Sequence, residues 1–236
     1  MKSGDEFRNG TWLVTLGFVF GDEMEVHPCR IGQGRVEMSE TNTELWLVRH
    51  GETEWSLDGR HTSWTDIPLT DRGRERAKWL RTVMSNKKFA AVFVSPRQRA
   101  RETCEIAGFG DVAVVDDNLQ EWNYGESEGK TTQQMRELHG SQWSVWTSPI
   151  LDGETVEHVG ERADEMIRTA LAAVPSGGAV ALFAHAHILR ILAARWIGLR
   201  AGGGQYFGLG TGSISVVGFE RETRVISQWN YVEETK

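Results

Sequence analysis

Leu47-Val48-Arg49-His50-Gly51-Glu52-Thr53 is an apolar strand that runs straight into an arginine, a histidine and a glycine. The unbroken apolar stretch 45–48 lacks the alternation of a half-exposed strand, so it reads as a parallel strand covered on both faces. A second such strand, Ala179-Val180-Ala181-Leu182-Phe183-Ala184, ends in His185, and a third runs from Ala90 to Val94. Helical spacing fills the intervals. Residues 71–84 put Ala77, Leu80, Val83 and Met84 on one side, and 155–174 form a long amphipathic helix ended by Pro175 and Gly177-Gly178. Ser95-Pro96-Arg97-Gln98 carries the signature of a serine-capped helix start, and Thr131 with Gln134 reads as a capping box. A helix over 187–197, a glycine-rich loop over 202–212 and a hairpin of 213–219 with 224–229 follow. Strands that alternate with helices in this way predict an α/β chain, a three-layer α/β/α sandwich around a mostly parallel sheet.

The chain has 236 residues, 39% of them apolar, enough for one full core. It divides into an N-terminal extension, 1–43, and a single domain, 44–236. The extension has little periodicity and many glycines. It is either a stretch ahead of a true start at Met38 or a hairpin that caps the fold. A net charge of −7 excludes the wide positive field that nucleic acid or an anionic membrane requires. No segment approaches the roughly 20 apolar residues that span a bilayer. Asp5 and Glu6 offset Lys2 and Arg8 ahead of the short apolar run 12–20, so no secretion signal is expected. Cys29 and Cys104 form no metal-binding or redox pair, and a cytoplasmic location fits.

In an open parallel sheet the ligand lies beyond the carboxyl ends of the strands. Arg49, His50 and His185 occupy those ends, Ser95 follows a third strand, and Arg99 lies one turn into the helix after it. The amino end of that helix offers free amides and a positive dipole end to an anion. A neutral imidazole is a competent phosphoryl acceptor near neutral pH. His50 would attack phosphorus while Arg49, Arg99 and His185 hold the equatorial oxygens. Gly51 lets the backbone pass close to the pocket. Glu121, between Leu119 and Trp122, would sit in apolar surroundings that favour its protonated form, making it the acid for the leaving alcohol and then the base for water. A metal site is the rival use of the histidines. His50, His61, His185 and His187 lack the HExxH spacing and a companion pair of carboxylates, so neither a metal nor another cofactor is expected.

Five ordered segments over 44–219 resemble the histidine phosphatase superfamily, in its phosphoglycerate-mutase-like branch. Leu47 to Trp55 is similar to the signature around the phosphorylated histidine, and Thr62 to Thr70 to the stretch that follows it. Ser95 to Thr103 is similar to the segment whose arginine is Arg99, Glu121 to Gly125 to the acid segment, and Phe183 to Arg190 to the second-histidine segment. The resemblance implies a phosphohistidine at His50 and chemistry without a metal. Ser56 stands where the family has asparagine, and Ala186 where it has glycine. Both departures bear on substrate and rate. Only 63 residues separate Glu121 from His185, and Lys130, Arg136, Arg162 and Arg168 form no adjacent basic pair. A phosphatase is therefore favoured over a cofactor-dependent phosphoglycerate mutase, with a phospho-ligand binding or regulatory module as the third reading. The expected rim is Ser56, Arg60, His61, Trp122, Tyr124, Ala186, His187 and Tyr206, suited to a small phosphorylated metabolite such as a sugar phosphate. A homodimer stays open.

Overall fold

The computed structural model describes residues 42–233. Apart from its last two residues, the expected extension 1–43 lies outside them, and Thr43 already belongs to the first strand. Among the described residues six strands form one sheet: β1 (Thr43–Arg49), β2 (Ala91–Val94), β3 (Ala113–Val115), β4 (Gly178–Ala184), β5 (Ile214–Glu220) and β6 (Thr223–Tyr231), in the order β3-β2-β4-β1-β5-β6. The first four are mutually parallel, and β5 and β6 add an antiparallel hairpin beside β1. Six helices accompany them: α1 (Glu54–Leu57), α2 (Asp71–Met84), α3 (Gln98–Ile106), α4 (Thr132–His139), α5 (Val156–Ala172) and α6 (Ala186–Trp196).

Strand alternation separates two cores. Leu45, Leu47, Val180, Leu182 and Ala184 face a layer built by α5 and α6, through Val159, Ala163, Met166, Ile188 and Leu192. Val48, Val92, Val94, Ala181 and Phe183 face the other layer, built by α2 and α3 through Leu80, Met84, Ala100 and Cys104. This is the three-layer sandwich the alternation predicts, because β1 and β4 are apolar on both faces. Each large side chain buried in these layers contributes about 1.5–3 kcal/mol.

Local starts follow the caps in most places. Thr70, Thr131 and Thr155 accept from Gly73 N, Gln134 N and His158 N, and the Thr131 box is reciprocal. Three readings of the sequence need correction. Ser95 does not cap α3: Arg97 holds the cap position without a side-chain bond, and Asp66 Oδ1 accepts from Gln98 N at 2.9 Å. That carboxylate already occupies the helix end proposed for an anion. The stretch 56–69, a polar loop by its composition, is not all loop, since Thr53 and Ser56 form a capping box that opens α1 over Glu54–Leu57. Nor is 202–212 a plain loop, because Ala201–Tyr206 is a 3-10 helix with Gly203 and Gly204 buried.

Gly51 is required by a close approach of backbone. A Cβ there would sit 2.5 Å from Gly73 O, and one on Gly73 would sit 2.3 Å from Glu52 O. The glycine therefore serves the contact between α2 and the turn after β1, not an approach to the pocket.

Candidate active site

β1 and β4 are adjacent and parallel, with Arg49 opposite Ala184. The next residue on each strand therefore emerges at the same level, and the rings of His50 and His185 lie 5.2 Å apart. His50 N donates to Ala184 O at 3.0 Å, and Gly212 N donates to His50 O at 2.8 Å. These bonds lock the main chain that carries the ring.

His50 Nδ1 lies 2.7 Å from Gly51 O. A carbonyl can only accept, so Nδ1 carries the proton and Nε2 keeps its lone pair. Burial, helped by Arg99 and Arg49, holds the His50 pKa well below its ordinary value. The ring is neutral and nucleophilic at neutral pH. Arg49 donates Nη1 to Leu209 O, while its buried Nε has no protein partner. Burial lowers its pKa to about 10, so it remains a cation.

Arg99 and His185 do not line the cavity. Arg99 is fully buried, with Nε donating to His185 Nδ1 at 3.1 Å and its Nη groups to the carbonyls of Thr62, Ser63 and Thr65. Because Nδ1 accepts, His185 carries its proton on Nε2 and donates it to Ser95 Oγ at 2.7 Å. This is what Ser95 does in place of capping α3. Both residues stand in the wall beside His50.

Glu121 is 6% exposed, but its surroundings are not the apolar wall expected from Leu119 and Trp122. Oε1 accepts from Trp122 N and Ile188 N, each at 3.0 Å, and Oε2 accepts from His187 N at 3.0 Å. His187 and Ile188 are the second and third residues of α6, the amides a capping side chain takes. Glu121 is thus the remote cap of α6, with its carboxylate held at the helix dipole. Arg162 fixes the loop that carries it, donating Nη1 to Asn118 O and Gln120 O and forming a two-pronged pair with Glu154. Burial pushes the Glu154 pKa up, but Arg162 outweighs it and holds the group below the usual carboxylate range.

A cavity of about 450 Å³ opens over these groups. Of the expected residues it is lined by Arg49, His50, Ser56, Arg60, His61, Glu121, Tyr124, Ala186 and His187. Ser56 lines it with a hydroxyl already committed, donating to Thr53 O at 2.8 Å. His61 is buried, its Nε2 lacks a partner, and burial drives its pKa down to about 4. Tyr124 Oη lies 2.6 Å from His187 Nδ1. Burial keeps both neutral, raising the phenol and lowering the imidazole, which Arg190 and His61 lower further.

Two expected rim residues are elsewhere. Trp122 is buried in the core with Nε1 on Glu154 O, and Tyr206 is 80% exposed and does not line the cavity. Residues not singled out for the rim take their place, notably Trp146, Arg136 and Arg190. Arg190 had a signal: it lies three residues after His187, on the same face of α6. Among the described residues no group of three or more His, Cys, Asp or Glu side chains is arranged to hold a metal ion.

The sequence has relatives across most of this region. An acid phosphatase of Mycobacterium tuberculosis is 38% identical over 192 residues, spanning 80% of this chain and 93% of that protein. A sedoheptulose 1,7-bisphosphatase of Saccharomyces cerevisiae is 37% identical over 183 residues, 65% of this chain and 67% of the other. The solved structure of a Mycobacterium tuberculosis open reading frame superposes with a TM-score of 0.76 at 37% identity, covering 81% of this chain and 98% of that one. The family model for the histidine phosphatase superfamily, branch 1, matches residues 45–232, so the chain belongs to that superfamily.

Proposed function

We propose that the chain is a metal-independent phosphomonoesterase that passes the phosphoryl group of a small polar ester, such as a sugar phosphate, through His50. The observation that carries this reading is the 2.7 Å contact of His50 Nδ1 with Gly51 O, which turns the bare Nε2 towards the chemistry. Nε2 attacks phosphorus and the ester P–O bond breaks. Arg49, with its unpartnered Nε, offsets the charge that builds on the phosphoryl oxygens. Glu121 takes up the proton that the monoester monoanion brings into the cavity and passes it to the leaving alkoxide. Oε2, which accepts one amide against two at Oε1, is the oxygen from which it comes. Water then attacks the phosphohistidine, Glu121 takes its proton, and inorganic phosphate leaves.

Arg99 and His185 hold the wall beside His50. His185 reaches a phosphoryl oxygen only by exchanging its bond to Ser95. The names of the relatives, an acid phosphatase and a sugar bisphosphatase, support hydrolysis over the mutase reading. A degenerate binding module is disfavoured by the survival of Arg49, His50 and Glu121 in one cavity. A cytoplasmic location accompanies this reading, and among the described residues no helix is long and apolar enough to cross a membrane. The catalytic domain of this reading opens at Thr43, the first residue of β1, one residue ahead of the 44–236 boundary read from the sequence.

Rapid-quench mass analysis during turnover tests the proposal. It should find His50 phosphorylated, with turnover unaffected by a metal chelator. Turnover that survives His50→Ala without a phosphoenzyme would refute it.

A further inference from the structure

We infer that Arg190 and Arg136 form a second anion subsite in the catalytic cavity, so that the preferred substrate carries a phosphate or carboxylate besides the phosphoryl group that meets His50. This rests on the phosphomonoesterase reading of the same site and names its substrate class.

Among the described residues four arginines line the cavity, Arg49, Arg60, Arg136 and Arg190, against one carboxylate, Glu121. Arg60 already has Asp58 at 3.0 Å, and the Glu121 oxygens face three backbone amides. Arg49 adjoins the nucleophile and serves the phosphoryl group. Two cations remain.

Arg190 is half-buried and held in place. Nε donates to Gly204 O and Nη2 to Gln205 O, each at 3.1 Å, and the guanidinium lies 4.7 Å from the centre of the Trp146 ring. Among the described residues no carboxylate pairs with it, and its Nη1 has no hydrogen-bond partner. Arg136 lines the same cavity, gives Nε to Trp143 O at 3.1 Å, and likewise has no carboxylate partner among the described residues. Carbonyls and an indole face orient a guanidinium without cancelling its charge. The fork left over matches the paired oxygens of a phosphate or carboxylate.

Position separates this subsite from the chemistry. Arg190 is four residues beyond Ala186, about 6 Å further along α6. The cavity of about 450 Å³ holds a small sugar with an anionic group at each end. The histidines that line it, His50, His61 and His187, are neutral by burial and do not dilute this charge selection.

The test compares esters that differ in the second charge: fructose 1,6-bisphosphate against fructose 1-phosphate, and 3-phosphoglycerate against glycerol 3-phosphate. The wild-type kcat/KM should favour the doubly anionic member of at least one pair by about 30-fold, the scale of one lost charge-assisted pair. Preference confined to the first pair identifies the second group as phosphate, and confined to the second pair, as carboxylate. Arg190→Gln should lose about tenfold more on that doubly anionic ester than on its partner, mainly through KM, with Arg190→Lys recovering part of the difference. Arg136→Gln, at an exposed position that leaves packing intact, should narrow the same gap. Equal wild-type turnover within both pairs, or losses in both glutamine variants that are equal within a pair, would overturn the subsite while leaving the phosphatase intact. No turnover of any ester, with no phosphohistidine, would overturn the underlying reading and the subsite with it.

Discussion

Replacing Glu121 with glutamine separates the two tasks this carboxylate performs. The three amides aimed at it set the structural cost. In the better orientation the glutamine oxygen stays at the Oε1 position and still accepts from Trp122 N and Ile188 N. Its NH2 group then faces His187 N, donor against donor, where Oε2 accepted at 3.0 Å. The reverse orientation sets it against two amides. One buried amide left unsatisfied costs about 1–3 kcal/mol. The lost charge at the start of α6 adds about 0.3–1 kcal/mol. At about 2–4 °C per kcal/mol for a domain of this size, Tm should fall by roughly 3–16 °C. Catalysis should respond to the leaving group. With an alkyl ester, loss of the proton donor should lower kcat by about 100- to 10,000-fold, whereas p-nitrophenyl phosphate, whose leaving group needs no proton, should lose far less. Differential scanning calorimetry and steady-state kinetics on one preparation read both effects. Equal kinetic losses on the two esters would refute the acid role, and an unchanged Tm would refute the cap.

Gly73→Ala puts a Cβ 2.3 Å from Glu52 O, so α2 and the turn behind His50 must part; Tm and kcat should fall together, and wild-type values for both would refute the close-approach argument. Acid should destabilise the fold well before its carboxylates titrate. His50, His61, His185 and His187 all have folded pKa values below 6.5, so the unfolded chain binds more protons as pH falls through that value, and stability present above it is lost below. His61 alone, at about 4, accounts for about 3 kcal/mol lost progressively between pH 6.5 and 4, the first part of it by pH 5.5. The urea midpoint should therefore drop between pH 7.5 and 5.5, and an unchanged midpoint would contradict the neutral buried histidines. Tyr206→Ala, at an 80% exposed position outside the cavity, should change kcat/KM by less than about twofold for every ester tested; a larger loss would return Tyr206 to the rim.

The sandwich was legible because its signals are local. The apolar runs at 45–48 and 179–184 mark strands covered on both faces, and Thr131 with Gln134 closes its box within four residues. Glu54–Leu57 was not legible by periodicity, since a single turn buries none of its own residues and leaves no apolar stripe to read. Ser95 misled for a related reason. The serine-proline start is a local preference of about 1 kcal/mol, whereas the bond to His185 Nε2 at 2.7 Å satisfies a donor buried in the core. The tertiary demand won, and Asp66 capped α3 from another loop.

The same distinction decides how far the site could be read. Which residues converge follows from strand order and register: Arg49, His50 and His185 had to meet once β1 paired in parallel with β4. What each residue does depends on partners that sequence spacing does not reveal. Glu121 looked like a carboxyl among apolar neighbours because Leu119 and Trp122 flank it, yet two of the three amides on it belong to a helix more than sixty residues away. Arg99 looked like a phosphate ligand because it opens a helix beyond a strand, yet its donors are absorbed by His185 and three carbonyls of the 62–65 loop. Arg190 was given no role, as one of two arginines on a largely apolar helix. Its significance comes from Trp146, against which it stacks, and from Gly204 and Gln205, which orient it without neutralising it. An arginine matters to a binding cavity according to the donors and charge left over after the fold has taken its share, and that remainder becomes visible only in three dimensions.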